Sequence, residues 1–173
     1  MDDAHIYEAH DLKHDEGRLP PENWFDRSET LQKLRKNKKF PAIWCSGCGI
    51  GIVMGALIRA IDNLGLDNDK VALVAGIGCT ARMPVYMDFN TLHTTHGRAL
   101  AFATGLKIAR PDMKVIAIMG DGDALAIGGN HFIHAARRNL GITALVVNNA
   151  IYGMTGGQYS PTTPLGGRAT TAP

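Results

Sequence analysis

The sequence has few aromatic residues, few cysteines, little net charge and no long apolar run, and each of these excludes a class of protein. Aromatic residues make up 6% of the 173 residues, and there are only 3 cysteines. Such a small, odd number argues against a fold held by paired disulfides and raises the question of metal or redox chemistry. The formal net charge of +2 gives no indication of nucleic acid or a membrane surface as a partner. No apolar run approaches a membrane span or a signal-peptide core, so we expect a cytoplasmic protein.

Charge is distributed unevenly along the chain. Residues 1–40 carry half of all the Lys, Arg, Asp and Glu residues, whereas the rest is rich in glycine and apolar residues. A length of 173 residues suits one domain with its own core. We therefore predict a polar N-terminal extension over 1–40 and one domain over 41–173.

Apolar patterning predicts alternating strands and helices from residue 41 onward. Continuous apolar runs predict strands over 71–75, 115–119 and 142–147, and helical spacing predicts helices over 51–64, 97–109 and 125–140. The segment 160–173 is predicted to be a loop. This alternation is typical of an α/β fold with a parallel sheet flanked by helices. Ligands of such sheets bind beyond the carboxyl ends of the strands.

Two polar motifs follow predicted strands. Gly120-Asp121-Gly122-Asp123 follows the second strand, and Asn148-Asn149 follows the third. Glycines let the backbone approach a phosphate closely, and carboxylate and amide oxygens suit Mg²⁺. Gly-Asp-Gly alone is more often only a turn, but the pair of motifs predicts a diphosphate site. Asp123 either contacts phosphate-bound solvent or caps the following helix.

The cysteines lie close to predicted strand or helix ends. Trp44-Cys45-x-x-Cys48 before a helix is also typical of a thioredoxin-type dithiol. Cys79 follows a glycine-rich strand end, where a third thiolate would suit an iron–sulfur cluster. A zinc site of three cysteines with His93 or His96 is the competing hypothesis, and an inert core Cys79 is another.

His96 directly precedes the second predicted helix, and Arg98 lies at its start. His96 is a candidate for anion contact, proton transfer or metal binding, and loop hydrogen bonding is the alternative.

Taken together, these motifs resemble one family, the β subunits of the 2-oxoacid:ferredoxin oxidoreductases. The resemblance runs in unbroken order from Trp44 to Pro173 and includes the thiamine-diphosphate motif formed by Gly120–Asp123 with Asn148-Asn149. It implies oxidative decarboxylation of a 2-oxoacid, with 2-oxoglutarate favoured over pyruvate. Coenzyme A would take the acyl group, and electrons would pass through a 4Fe-4S cluster to ferredoxin.

The resemblance also implies roles for individual residues. The Mg²⁺ ligands would be Asp121, Asn149 and the Ile151 carbonyl, and the cluster ligands would be Cys45, Cys48 and Cys79. The thiamine diphosphate would be bound by Gly78, Gly120, Asp121, Gly122, Asp123, Asn149, Ile151, Gly153, Met154 and Thr155. His96 and Arg82 are the catalytic candidates, with Arg82 pairing with the distal carboxylate of 2-oxoglutarate.

The sequence departs from the family pattern in one respect. The family has a fourth cysteine downstream of the asparagine pair, and this sequence has none there. We interpret the domain as truncated at its C-terminus. The carboxylate that activates the aminopyrimidine is expected from an α subunit, so activity would require a heterodimer. A non-redox thiamine-diphosphate decarboxylase half, a pyruvate-specific member and a dithiol redox module remain as alternatives.

Overall fold

The computed structural model describes residues 33–35 and 41–172. The predicted N-terminal extension lies outside this range apart from Lys33–Arg35. There an isolated bridge joins Leu34 to Met87, and Arg35 Nε donates to the Met87 carbonyl at 2.9 Å. This short segment is therefore fixed against the domain.

The architecture is an α/β fold built on a four-stranded parallel sheet, as the sequence predicts. The strand order is β2–β1–β3–β4. The strands are β1 Val71–Ala75, β2 Asn90–His93, β3 Lys114–Gly120 and β4 Ile142–Val147. A separate antiparallel pair is formed by β5 Ile151–Tyr152 and β6 Gln158–Tyr159.

Each helix ends within two residues of its predicted C-terminus. They are α1 Ile50–Asn63, α2 Ala99–Ala109 and α3 Gly129–Arg138, with 3₁₀ turns at Asn68–Lys70 and Thr80–Val85 and a π-helix at Gly122–Ile127. After α1, Gly65 has a φ of +59°, the left-handed conformation that terminates many helices. None of the helices in the described ranges has both the length and the apolar character needed to cross a bilayer.

The two faces of the sheet carry separate apolar clusters. Side chains alternate along a strand, so Leu73 of β1 faces α1 while Ala72 and Val74 face α2. The buried stripe of α1 repeats every three or four residues, at Ile50, Met54, Ile58 and Ile61. Both faces of the inner strands are therefore covered, which explains their continuous apolar runs.

The edge strand β2 differs from the prediction, which has only three strands. All four of its residues are exposed, so neither an apolar run nor an alternating pattern marks it. It nevertheless pairs in parallel with β1, opposite Ala72–Ala75. The backbone ladder, rather than side-chain burial, accounts for this strand.

Two predicted helices also differ from the structure at their starts. Helix α2 begins at Ala99 instead of residue 97, because Gly97 has a φ of +73°. The helix predicted over 125–140 is a π-helix followed by α3. A Cβ on Gly128 would lie 2.3 Å from the Asp123 carbonyl oxygen, so only glycine fits this close approach of the two backbone segments. The π-helix directly follows Asp121, where the predicted site lies.

Candidate functional site

The polar motifs meet at the carboxyl edge of the sheet. Gly120 pairs with Val147 in the register of β3 and β4, so Asp121 and Asn149 leave the sheet beside each other. A cleft of about 90 Å³ opens there. It is lined by every residue predicted to bind the diphosphate or Mg²⁺, together with His96 and Cys79: Gly78, Gly120, Asp121, Gly122, Asp123, Asn149, Ile151, Gly153, Met154 and Thr155.

Asp121 presents its two carboxylate oxygens to different groups. The residue is 1% exposed. Its Oδ2 atom accepts hydrogen bonds from Ser160 Oγ at 2.6 Å and from Thr162 Oγ1 at 2.5 Å. Its Oδ1 atom lies 2.9 Å from a terminal atom of the Asn149 amide. Only Oδ1 therefore faces the asparagine motif.

A tight turn after β4 brings Asn149 and Ile151 to the same point. Ala150 between them has a φ of +60°, which is rare for a residue with a Cβ. The Ala150 N–H donates to Asn148 Oδ1 at 3.1 Å, and the Ala150 carbonyl accepts from Thr163 Oγ1 at 2.6 Å. These two hydrogen bonds hold the strained turn in place.

The chemistry and spacing of these oxygens fit Mg²⁺. One terminal atom of the Asn149 amide lies 2.9 Å from both Asp121 Oδ1 and the Ile151 carbonyl oxygen. With the amide nitrogen at that position, it donates to both oxygens. With the amide oxygen there, three hard oxygen ligands converge. Adjacent ligands of an octahedral Mg²⁺, each at about 2.0–2.1 Å, lie about 2.9 Å apart.

Asp123 forms a buried pair with His96. Its carboxylate is 2% exposed, and Oδ1 lies 2.6 Å from His96 Nδ1 and accepts the Gly97 N–H at 2.6 Å. Since an ionised carboxylate only accepts, His96 carries a proton on Nδ1 and leaves Nε2 free. A Cβ on Gly76 would lie 2.2 Å from Asp123 Oδ2, so only glycine leaves room for this carboxylate.

Tyr152 closes one side of the cleft. A Cβ on Gly122 would lie 2.2 Å from its ring, and the Tyr152 hydroxyl donates to the Gly122 carbonyl at 3.3 Å. Burial raises the pKa of Tyr152, and the charges of Asp121 and Asp123 raise it further. The hydroxyl thus stays protonated beside two carboxylates.

The three cysteines line a second, more apolar cleft of about 380 Å³. Trp44 also lines it and donates its ring N–H to the Cys79 carbonyl at 2.8 Å. Burial raises the pKa of Cys79, and the neighbouring Cys48 and Cys45 raise it further. The two clefts share Cys79, Asn149, Gly153 and Met154, so they adjoin each other.

The structure offers no support for a zinc site within residues 33–35 and 41–172. No group of three His, Cys, Asp or Glu side chains is arranged there to hold a metal ion. His93 is exposed at the end of β2, and the ring of His96 is paired with Asp123. An iron–sulfur cluster differs in this respect, because each thiolate binds its own iron atom and the thiolates lie farther apart.

Arg82 lies outside both clefts. It is half-buried on the Thr80–Val85 turn, which directly follows Cys79. Within the described residues its guanidinium has no hydrogen-bond or ion-pair partner. The charge is therefore available to a group from outside the described residues.

Sequence reasoning missed Ser160, Thr162 and Tyr152 as site residues. The segment from Ser160 onward is a series of turns, as predicted, but its hydroxyls contact Asp121 across 39 and 41 positions of sequence. Serine and threonine in a loop have no spacing that distinguishes a buried partner from a solvated one. Only the folded position of the turn after β6, beside Asp121 at the end of β3, reveals them.

The chain is similar in sequence to known proteins. The C-terminal TPP binding domain of thiamine pyrophosphate enzymes matches residues 76–173. The 2-oxoglutarate synthase subunit KorB of Archaeoglobus fulgidus is 58% identical over 147 residues, which cover 85% of this chain and 54% of that protein. The corresponding subunit of Methanocaldococcus jannaschii is 57% identical over 141 residues, which cover 82% of this chain and 52% of that protein.

A solved structure is also similar. It is a 2-oxoglutarate:ferredoxin oxidoreductase from Magnetococcus marinus with 2-oxoglutarate, coenzyme A and succinyl-CoA bound. The identity is 42% and the TM-score 0.80, over 86% of this chain and 50% of that one. This chain spans about half the length of the curated relatives it matches.

Proposed function

The chain belongs to the family of thiamine pyrophosphate enzymes, and from that membership we propose that it is the diphosphate-binding part of a 2-oxoacid:ferredoxin oxidoreductase β subunit. The observation that supports this most is the adjacency of the two clefts. Oxygen ligands suited to Mg²⁺ lie in one, three thiols lie in the other, and Cys79 lines both. The diphosphate-binding half of a non-redox decarboxylase would need only the first cleft.

Thiamine diphosphate is the cofactor that the first cleft would bind. Asp121 Oδ1, the Asn149 amide oxygen and the Ile151 carbonyl would hold Mg²⁺ against the diphosphate. Gly120 lacks the Cβ that would keep phosphate oxygens from the backbone, whereas the missing Cβ of Gly122 makes room for the Tyr152 ring. When bound, the cofactor supplies the electron sink for decarboxylation of a 2-oxoacid.

His96 is the proposed proton-transfer residue of this chain. Asp123 fixes the ring through Nδ1, and His96 lines the cleft, so Nε2 is the atom available to substrate or cofactor. Asp123 is a positioning residue in this scheme, because its Oδ1 atom contacts the His96 ring and accepts the Gly97 and Ile77 N–H groups. Asp123 also lines the cleft, so its contact with the cofactor, which the resemblance implies, stays a prediction.

Cys45, Cys48 and Cys79 are the proposed ligands of a 4Fe-4S cluster, with a fourth ligand from outside the described residues. The wall shared by the two clefts would place cluster and cofactor within short electron-transfer reach. Electrons would continue to ferredoxin, and coenzyme A would accept the acyl group. An α subunit would supply the carboxylate that activates the aminopyrimidine.

2-Oxoglutarate is the proposed substrate, and Arg82 is the proposed partner of its distal carboxylate. The proposal rests on a guanidinium close to Cys79 that has no partner among the described residues, and on the names of the relatives. Arg82→Ala should raise the KM for 2-oxoglutarate more than the KM for pyruvate. Arg59→Ala is the matched control, because it removes an exposed arginine of α1. Equal increases in KM for both substrates would contradict this role of Arg82.

The proposed activity is tested by anaerobic purification of the complete enzyme with its α subunit. We expect coenzyme A-dependent oxidation of 2-oxoglutarate with ferredoxin, and iron bound with absorbance near about 400 nm. Thiamine diphosphate binding without iron would favour a non-redox decarboxylase. Absence of thiamine diphosphate binding would leave only the dithiol module.

A further inference from the structure

A turn of hydroxyl residues contacts the proposed cation site from behind. The hydroxyl turn, Ser160 to Thr163, places Ser160 Oγ and Thr162 Oγ1 at 2.6 and 2.5 Å from Asp121 Oδ2. Thr163 Oγ1 lies 2.6 Å from the carbonyl oxygen of Ala150, between the other two proposed ligands. One turn therefore contacts both strand ends that carry the ligands.

The direction of each hydroxyl proton follows from its neighbours. Ser160 Oγ accepts the Thr162 N–H at 3.3 Å, and Thr163 Oγ1 accepts the Ser160 N–H at 2.9 Å. A carboxylate and a carbonyl can only accept, so the Ser160 and Thr162 protons point to Asp121 and the Thr163 proton points to Ala150. Ser160 is 1% exposed, so water does not compete for its hydrogen bond.

This arrangement restricts what Asp121 can offer to a cation. Two charge-assisted hydrogen bonds occupy Oδ2, and each is stronger than a neutral one. A cation that takes both carboxylate oxygens must break or weaken them. Mg²⁺ is satisfied by one oxygen in an octahedral shell, whereas Ca²⁺ takes more ligands and readily binds carboxylates through both oxygens.

We propose that the hydroxyl turn makes Asp121 a one-oxygen ligand and thereby selects Mg²⁺ over Ca²⁺ at this site. The proposal rests on the proposed function, since it needs the cation site in the first cleft. Ser160 and Thr162 act through Asp121, so they are positioning residues. Such outer-shell partners affect metal affinity by about 10–100-fold in other proteins.

The test compares two metals in the full 173-residue chain. Calorimetry measures the Kd of thiamine diphosphate at saturating Mg²⁺ and at saturating Ca²⁺, for the wild type and for the double variant Ser160→Ala with Thr162→Val. The double variant frees Oδ2, so the ratio of the Ca²⁺ Kd to the Mg²⁺ Kd should fall at least fivefold. Thr162→Ser keeps the hydroxyl and should keep the wild-type ratio.

Thr163→Val is the matched control. Its hydroxyl contacts Ala150 and not Asp121, so its loss should weaken binding with both metals alike and leave the ratio unchanged. Circular dichroism checks that each variant is folded. If the double variant does not fold, Thr162→Val and Thr162→Ser are compared instead, with a twofold fall expected for the valine variant alone.

The outcomes separate the two proposals. An unchanged metal ratio in the folded valine variants, with normal metal-dependent binding by the wild type, overturns the role of the hydroxyl turn alone. A ratio that falls equally in Thr163→Val also overturns it, because the effect would then be general loosening. Absence of any metal-dependent binding by the wild type overturns the proposed function and this inference together.

Discussion

Replacing Gly97 by alanine should destabilise the domain, because two separate constraints apply there. Gly97 has a φ of +73°, and an added Cβ would lie 2.6 Å from Ile127 Cγ2 and 2.7 Å from the Gly128 nitrogen. The left-handed conformation costs alanine about 1 kcal/mol. Displacing the end of the π-helix costs roughly 1–3 kcal/mol more. The free energy of unfolding should therefore fall by roughly 2–4 kcal/mol, which lowers Tm by roughly 4–16 °C.

Gly65→Ala separates the two contributions. Gly65 has a φ of +59°, but a Cβ there would have no atom within 4 Å. Its replacement should cost only the conformational energy, about 1 kcal/mol. Urea denaturation followed by circular dichroism measures both variants. If Gly97→Ala loses no more stability than Gly65→Ala, the close approach of residues 97 and 128 does not constrain the domain.

Three further predictions concern the site itself. His96→Gln should lower the kcat of the assembled enzyme by about 100-fold, while calorimetry shows an unchanged affinity for thiamine diphosphate. An equal loss of that affinity would mean that His96 binds the cofactor and does not transfer a proton. Cys79→Ala should reduce the iron content of anaerobically purified protein without loss of cofactor binding; full iron content would exclude Cys79 as a ligand. Ala150→Gly should raise the free energy of unfolding, measured in urea, by about 0.5 kcal/mol. Glycine adopts the left-handed conformation without strain, but it also gives the unfolded chain more conformational entropy, which offsets part of the gain. A destabilisation of more than about 1 kcal/mol would contradict this explanation of the turn.

The parts of the fold predicted from the sequence are those in which burial determines residue type. Strand β1 has the predicted bounds, and β3 is longer by one residue at each end. Strand β4 also has the predicted bounds because it is apolar, although it is an edge strand whose residues are half-buried or exposed. The inner strands are apolar because both faces of the sheet are covered. Strand β2 could not be predicted in this way, since its side chains are exposed and only its backbone pairing defines it.

The site was predictable where backbone geometry demands glycine or where a cation needs a carboxylate or amide oxygen. Asp121 and Asn149 follow the ends of apolar strands within two residues, so their meeting at the sheet edge follows from parallel topology. The contribution of Ser160 and Thr162 depends on a turn 39 or more residues away, and nothing in the local sequence marks it. The π-helix after Asp121 was also missed, because its apolar residues fit an ordinary helix equally well.

The central claim is that a divalent cation joins Asp121 to the diphosphate of the cofactor. Its most direct test is calorimetric titration of thiamine diphosphate into the complete enzyme, with and without Mg²⁺, for the wild type, Asp121→Ala and the exposed control Asp69→Ala. We predict tight Mg²⁺-dependent binding by the wild type and Asp69→Ala, and loss of at least 100-fold in affinity with no Mg²⁺ dependence for Asp121→Ala. Unchanged, Mg²⁺-dependent binding by folded Asp121→Ala would contradict the account.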